Sequence, residues 1–338
     1  MQVELRQGVS SLQELEAPWL ELWSHARNPE VFLHPLWALS WWDHYGQARE
    51  PYLILVWDDA GTLAGLAPLC HTQTTPEVLE WIGNTELSDT MDFLVRSGME
   101  VQVMAALEKG LRKLLPAGHQ LDLHCVAEGS PTLEELNEML SQGWDVRIDL
   151  EEFSPWVELP ETWEEFLLGL TSHHRHEIRR KMRKAEKDLE AGFAMVSPED
   201  GWDKAMEHFF RLHRLSQPQK AVFMDEKRES FFCEMAKILA TEGLVRLTEL
   251  RSAQGPIASS ISFVKGRTWA LYNSGFDPRY KQYSPGIVLV AHTIKRAILE
   301  KLKVYDFLRG REIYKYDFGA KDRLLFRLRL KPRPEAPS

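Results

Sequence analysis

Residues 268–308 read in order as a strand, a loop, an amphipathic helix and a second strand. The helix is recognised by Ile287, Ala291, Ile294 and Ile298, whose spacings of four, three and four put them on one face. A helix with one apolar face has to bury that face, and the neighbouring strands offer a sheet for it. The chain is therefore expected to fold in the α/β class.

Strand and helix patterns also alternate along the rest of the chain. The main ones are a hairpin over residues 52–69, a helix over 131–143, a basic helix over 172–192, a three-stranded meander over 244–276 and a final edge strand over 323–330. Because hairpins and a meander stand beside helix-linked strands, the order predicts a mixed α/β sheet and not an all-parallel one.

The chain is long enough for two domains, since 338 residues exceed the usual size of a single core. Residues 153–160, FSPWVELP, contain two prolines that favour an extended connector. We predict an N-terminal domain of residues 1–154 and a C-terminal domain of residues 155–338.

The two halves differ in charge, although the whole chain has a net charge of −9. Residues 1–150 carry 8 basic and 23 acidic side chains, whereas residues 151–338 carry 33 basic and 27 acidic ones. The basic half is the better place for an anionic ligand, but solvated surfaces can differ in this way without binding anything.

The three cysteines, Cys70, Cys125 and Cys233, are far apart and odd in number, which is typical of reduced thiols. The sequence has no apolar run of the roughly 18 residues that a membrane span needs, and its start lacks a basic-then-apolar signal pattern. The histidines and cysteines lack metal-ligand spacing. We expect a cytoplasmic protein with no metal site.

The start of the late helix has the chemistry of an anion site. Gln282, Ser284, Pro285, Gly286 and Ile287 surround its first turn, where free backbone N–H groups and the helix dipole attract a phosphate. Ser284 can cap the helix, Pro285 suits its first position, and Gly286 allows close approach. The same tripeptide also opens helices that bind nothing.

Several side chains near the second strand could take part in chemistry. Asp306 and Asp317 are carboxylates that could remove a proton, and Tyr272 is a further candidate. Arg309 and Lys315 are cations that could hold a phosphate or carboxylate. Solvent exposure, strand packing and a basic surface turn are the alternative interpretations of these five residues.

Four segments resemble GNAT-related acyltransferases of the CelD (cellulose biosynthesis) type, which in turn resemble the Fem peptidyltransferases. They are FLHPLWALSWWDHYG (32–46), IGNTELSDTMDFLV (82–95), LTSHHRHEIRRKMRKAEK (170–187) and, as the closest match, residues 275–320. The resemblance implies two tandem GNAT-like domains. It also implies that coenzyme A lies in a V between two splayed strands, here residues 269–275 and 304–308, with its pyrophosphate on the helix that begins at Pro285.

One departure from the family pattern concerns the acyl donor. Acetyl-CoA enzymes of this kind usually carry Arg/Gln-x-x-Gly-x-Gly/Ala before the helix, whereas residues 282–287 have one glycine and a proline. Acetyl-CoA, another acyl-CoA and an aminoacyl-tRNA all remain open as donors.

The acceptor side is assigned to five candidate residues. Asp89 and Asp92 could hold an ammonium or sugar hydroxyls, and Arg175 and Arg179 on the basic helix could hold an anionic substrate or a tRNA backbone. Asn273 is the fifth, on the strand before the helix. Turn-forming acids and a solvated helix face are the alternatives.

Three functions follow from these patterns. The leading hypothesis is an N-acyltransferase that moves an acyl group from acetyl-CoA or a related thioester to a small-molecule or cell-envelope amine in a ternary complex. The second is an aminoacyl-tRNA-dependent, Fem-like peptidyltransferase, and the third is a non-catalytic binding protein on the same fold. The oligomeric state stays open.

Overall fold

A computed structural model describes residues 1–72, 74–83, 86–135, 143–199 and 201–333. The chain divides into two compact units. The first unit comprises Met1–Glu152 together with Arg323–Ser338, and the second comprises Phe153–Asp322. Within the described ranges, no helix is both long and apolar enough to cross a membrane.

The first unit is built on a mixed sheet. Its strands are β1 (Gln2–Gln7), β2 (Arg49–Trp57), β3 (Leu63–Thr72), β4 (Val78–Trp81), β5 (Leu94–Val95), β6 (Gln120–Ala127), the first part of β7 (Trp144–Glu158) and β13 (Lys321–Pro332). Their order is β1-β2-β3-β4-β6-β13-β7, with β5 beside β3. The pair β4–β6 is parallel, whereas β1–β2, β2–β3 and β6–β13 are antiparallel.

Among the described residues of this unit, the α-helices beside the sheet are α1 (Ser10–Glu14), α2 (Glu16–Ser24), α3 (Pro35–Tyr45), α4 (Glu100–Leu114) and α5 (Pro131–Glu134). The core between them is rich in large aromatic side chains, among them Trp19, Trp37 and Trp41, which are at most 1% exposed. Of the helix predicted over residues 131–143, only the start is seen, because residues 136–142 lie outside the described ranges.

The predicted hairpin over residues 52–69 is confirmed as β2 and β3. Its turn is held by Asp58, whose carboxylate accepts hydrogen bonds from the N–H groups of Ala60 and Thr62 at 2.9 and 2.8 Å. Gly61 takes a φ of 79°, a left-handed conformation that favours glycine.

The second unit has its own mixed sheet. Its strands are the last part of β7, β8 (Gly192–Val196), β9 (Val245–Ser252), β10 (Gly255–Lys265), β11 (Thr268–Phe276) and β12 (Val304–Asp306). Their order is β7-β12-β11-β10-β9-β8. The pair β11–β12 is parallel and every other neighbouring pair is antiparallel.

The helices of the second unit are α6 (Trp163–Gly169), α7 (Ser172–Leu189), α8 (Trp202–Ser216), α9 (Pro218–Phe223), α10 (Glu226–Thr241), α11 (Pro285–Leu299) and α12 (Ile313–Asp317). The predicted apolar faces are the ones that pack. Ala291, Ile294 and Ile298 of α11 are buried with Trp269 and Tyr305 of the sheet.

The final strand departs from the prediction, which placed it at a sheet edge and in the C-terminal domain. β13 instead lies between β6 and β7 in the strand order, and residues 323–333 pack in the first unit. Leu325, Leu328 and Leu330 of this strand are all fully buried. A register shift between Phe326 and Leu328 keeps Leu325 buried although it lies three residues before Leu328.

Candidate functional site

The parallel strands β11 and β12 pair for only three residues. Thr268, Trp269 and Ala270 stand opposite Val304, Tyr305 and Asp306. Beyond this point β11 continues to Phe276, whereas β12 ends. The two strands therefore part in the middle of the sheet, and β11 has an edge there that β12 does not cover.

A β-bulge lies at the point where the strands part. Ile261 of β10 is opposite Asn273 of β11, but the next residue, Ser262, is opposite Leu271. Tyr272 is thus the extra residue of the bulge. A bulged residue leaves the hydrogen-bond ladder and bends its strand, which is a common arrangement beside active sites.

The start of α11 offers backbone donors. Ser284 precedes the helix in a left-handed conformation (φ 52°, ψ 52°), and its hydroxyl does not cap the first turn. The first bond of the helix runs from the Val288 N–H to the Ser284 carbonyl at 3.0 Å. Pro285 has no N–H, so the amides of Gly286 and Ile287 are the donors of this turn. The expected capping role of Ser284 was wrong, since its backbone is left-handed whereas a capping residue normally has an extended backbone.

Gly286 has room for a side chain as far as the protein is concerned. A Cβ there would meet Phe276 Cδ1 at 3.5 Å, an ordinary contact. Packing within the protein therefore does not require a glycine at this position. Because glycine has no side chain, the space beside the start of the helix stays open to a ligand.

The basic helix α7 contacts the loop before α11. Lys184 Nζ lies 3.4 Å from the Gln282 carbonyl and 4.9 Å from the centre of the Tyr283 ring. Arg175 is half-buried and Arg179 is exposed on the same helix. These contacts put positive charge beside the donors of α11.

Asp306 and Lys315 hold the turn that follows β12. The Asp306 carboxylate is buried and accepts hydrogen bonds from Ser154 Oγ at 3.1 Å and the Leu308 N–H at 2.8 Å. Leu308 is held in a left-handed conformation with φ 55°. Lys315 Nζ donates to the carbonyls of Leu308, Arg309 and Gly310 at 3.1, 2.9 and 2.9 Å.

This geometry corrects the prediction that Lys315 contacts the acyl donor. The side chain is 2% exposed, and its ammonium also pairs with Glu312 at 2.9 Å. An ammonium has three hydrogens, and all of them are used within the turn. Asp306 and Lys315 therefore shape the end of β12, and Arg309 lies half-buried between them in the chain.

The other predicted side chains have partners of their own. Tyr272 stacks on Phe232, with ring centres 5.4 Å apart. Asn273 Oδ1 lies 3.2 Å from His213 Nε2. Asp317 is half-exposed and lies 3.4 Å from His174 Nε2 of α7.

Two residues near the bulge, His213 and Lys220, escaped the sequence analysis. His213 is 1% exposed, and its burial together with the nearby Lys220 lowers its pKa to about 4. Lys220 Nζ donates to the Ser274 carbonyl at 2.5 Å. The signal that could have found them is Gly275, since a Cβ there would come within 2.3 Å of the His213 backbone.

In the first unit, Asp92 is buried and Asp89 is half-buried. Asp92 accepts hydrogen bonds from Thr132 Oγ1, from the Phe93 N–H at 2.9 Å and from Asn28 Nδ2 at 3.3 Å. Burial raises the pKa of Asp92 to about 6. Its carboxylate is occupied in joining these segments, so it is not presented to a ligand.

Comparison with protein families identifies the second unit. Residues 172–316 match the family model of the acetyltransferase (GNAT) domain. The protein is an acyltransferase. The matched residues run from α7 to α12 and thus include the bulge, the parting strands and the start of α11.

Solved structures resemble the chain over nearly its whole length. A crystal structure of FemX matches with a TM-score of 0.68 at 11% identity and covers 96% of both chains. The C-terminal domain of a putative lysylphosphatidylglycerol synthetase from Agrobacterium fabrum matches with a TM-score of 0.61 at 8% identity, over 94% of this chain and 92% of that one. L-PGS from Bacillus licheniformis gives 0.53 at 9%, over 84% and 85%.

These likenesses are at the level of the fold. None of the curated proteins matches the sequence significantly. The predicted mixed α/β fold is confirmed, and a GNAT domain is matched in the second unit.

Proposed function

We propose that the protein is an N-acyltransferase that moves an acyl group from acetyl-CoA or another acyl-CoA to an amine in a ternary complex. The observation that carries this proposal is the parting of β11 and β12 at Ala270 and Asp306, next to a bulge and to the uncapped start of α11. A gap in the sheet gives room for a thioester, and the helix start provides donors for its phosphates.

In this proposal the amides of Gly286 and Ile287 bind the pyrophosphate, with Gln282, Ser284 and Pro285 shaping the turn. The acceptor nitrogen attacks the thioester carbonyl, a C–N bond forms, the C–S bond breaks, and the thiolate takes up a proton. Backbone N–H groups at the bulge stabilise the oxyanion. Tyr272 and Asp306 position the two strands, and we propose Asp317 as the group that removes the proton from the amine.

The test is calorimetric titration with coenzyme A of the wild type and of Gly286→Asp. A carboxylate at the start of a helix stabilises the helix but repels a phosphate, so we expect the fold to persist and binding to weaken at least tenfold, about 1.4 kcal/mol. Gly192→Asp is the matched control, because Gly192 is exposed on β8 with open space around it. Absence of heat with the wild type at millimolar coenzyme A would contradict the proposal.

A second donor class, aminoacyl-tRNA, is favoured by α7. This helix carries seven Lys and Arg against three acidic residues, and it contacts the loop before α11 through Lys184. The similar structures named FemX and lysylphosphatidylglycerol synthetase make the same alternative worth testing. Filter binding of charged tRNA should then weaken steeply with salt, and Arg179→Ala with Arg183→Ala should flatten the slope. A salt-independent or undetectable interaction would leave acyl-CoA as the donor.

Three finer assignments are proposals that rest on the sequence. The CelD-type relationship rests on the four segments quoted above. The cytoplasmic location rests on the odd number and wide spacing of Cys70, Cys125 and Cys233, which is typical of reduced thiols. A small-molecule or cell-envelope amine as acceptor rests on the family resemblance. We also propose that the domains are the two compact units described above, and not the halves on either side of residue 154.

A further inference from the structure

Lys220 places a primary amine beside the part of β11 that β12 leaves uncovered. Its Nζ donates to the carbonyl of Ser274, at a distance of 2.5 Å. Ser274 is two residues beyond the bulge residue Tyr272, which corresponds to about 7 Å along a strand. An ammonium can donate three hydrogen bonds, and this one has donors in addition to the one that binds Ser274.

The charges that face Lys220 do not balance. Among the residues that the structure describes, Glu312 is the acidic group that acts on Lys220, but this carboxylate is already paired with Lys315 at 2.9 Å. His213 is neutral at physiological pH, because burial and the nearby Lys220 lower its pKa to about 4. Two lysines thus share one carboxylate, and the cluster of Lys220, Lys315, Glu312 and His213 has an excess of one positive charge.

This arrangement destabilises the charged form of the Lys220 side chain. Burial and the charge of Lys315 lower the pKa of Lys220, and Glu312 offsets this only in part. A single anion bound to Lys220 would relieve the imbalance and stabilise the charged ammonium. A carboxylate has one negative charge and two acceptor oxygens, which fits an excess of one charge better than a phosphate dianion does.

The position of Lys220 assigns this anion to the acceptor and not to the donor. Trp269 and Leu271 of β11 are buried in the same cluster as α11. Asn273 and Gly275, in contrast, contact His213 of α8, the helix directly before α9 and Lys220. Lys220 therefore lies on the side of β11 away from the proposed phosphate site.

We propose that Lys220 binds a carboxylate of the acceptor, so that the acceptor is an amino acid or a related amine with a carboxylate close to its reacting nitrogen. This inference rests on the proposed acyl transfer. The spacing of about 7 Å between Ser274 and the bulge suits an acceptor whose nitrogen and carboxylate are separated by a short carbon chain.

The test measures the protonation of Lys220 directly. Protein labelled with ¹³C in its lysines is titrated by NMR, and the Lys220 Cε signal is the one that disappears in Lys220→Arg. A mixture of the twenty L-amino acids should raise the pKa reported by this signal by about one unit, a tenfold change in proton affinity. The matching mixture of amino-acid amides, which lack the carboxylate, should leave it unchanged.

Equal shifts with acids and amides, or no shift with either, would overturn the assignment. The acyl transfer itself is followed separately, by thiol release from acetyl-CoA with each mixture. Turnover that is equal with acids and amides contradicts the carboxylate subsite but supports acyl transfer. Absence of coenzyme A binding contradicts acyl transfer, while the NMR shift still decides the subsite.

A pair of variants isolates the side chain. Lys220→Met should raise the KM for the amino acids that are turned over at least tenfold, with little change in the KM for their amides. Lys220→Arg should restore part of the preference for acids over amides. Lys237→Met is the control, since Lys237 is exposed on α10. A loss of kcat that is the same for acids and amides would indicate a structural role for Lys220 and would overturn the proposal.

Discussion

At the scale of single residues, Asp92 shows how a buried carboxylate makes stability depend on pH. Its pKa in the folded protein is raised to about 6 by burial, above the value of about 3.9 for an unfolded chain. The folded state therefore binds the proton more tightly than the unfolded state does. The contribution of this group to stability is fully present below pH 4 and is lost as the pH rises through 6.

We predict that Asp92→Asn removes this dependence. Between pH 4.5 and pH 7 the free energy of unfolding of the first unit should fall by about 2 kcal/mol less in the variant than in the wild type, because roughly 1.5 pKa units of the shift lie within this pH range. Urea denaturation at the two pH values measures the difference. Asp43→Asn, on the exposed side of α3, is the control and should behave as the wild type does. An unchanged pH dependence in Asp92→Asn would show that Asp92 binds its proton no more tightly than in an unfolded chain.

At the scale of elements, the turn after β12 depends on one side chain. Lys315 donates hydrogen bonds to three consecutive carbonyls, the first of which belongs to Leu308 with its positive φ. We predict that Lys315→Met destabilises the second unit by about 1–3 kcal/mol, because buried carbonyls lose their donor. Urea denaturation measures this, and hydrogen exchange at residues 308–310 localises it.

The paired control is Glu312→Gln, which removes only the half-exposed side of the ion pair and should cost less than about 1 kcal/mol. The same experiment decides between two roles for Lys315. If Lys315→Met kept its stability but lost coenzyme A affinity, Lys315 would contact the donor, as the sequence suggested.

The elements that form the candidate site could be predicted because their signals are local. The stripe of Ala291, Ile294 and Ile298 repeats within one helix, and the flanking strands are short segments rich in aromatic and β-branched residues. The bulge at Tyr272 could not be predicted, because it is a difference in register between β10 and β11. Lys220 was missed because the packing of α8 and α9 on β11, and not a motif, brings it to the site.

At the scale of the whole molecule, the position of β13 was beyond the reach of local patterns. Its partner β6 is some 200 residues earlier in the chain, with Leu328 opposite Leu123. A period of two predicts that residues 323–330 form a strand, but only long-range pairing decides which sheet receives it. This pairing is what assigns the C-terminal strand to the first unit.

We predict that Leu328→Ala separates the stability of the first unit from donor binding by the second. Leu328 is fully buried, so truncation should cost about 2–5 kcal/mol. The GNAT match ends at residue 316, and the proposed donor site lies wholly within residues 153–322. Calorimetric titration should therefore give the same affinity for coenzyme A as the wild type, while urea denaturation shows the first unit unfolding at a lower urea concentration.

The matched control is Leu299→Ala, because Leu299 is 68% exposed at the end of α11, and this variant should change stability by less than about 0.5 kcal/mol. Loss of coenzyme A affinity in Leu328→Ala would mean that the C-terminal strand supports the donor site. A domain boundary at residue 154 would then describe the protein better than the two compact units do.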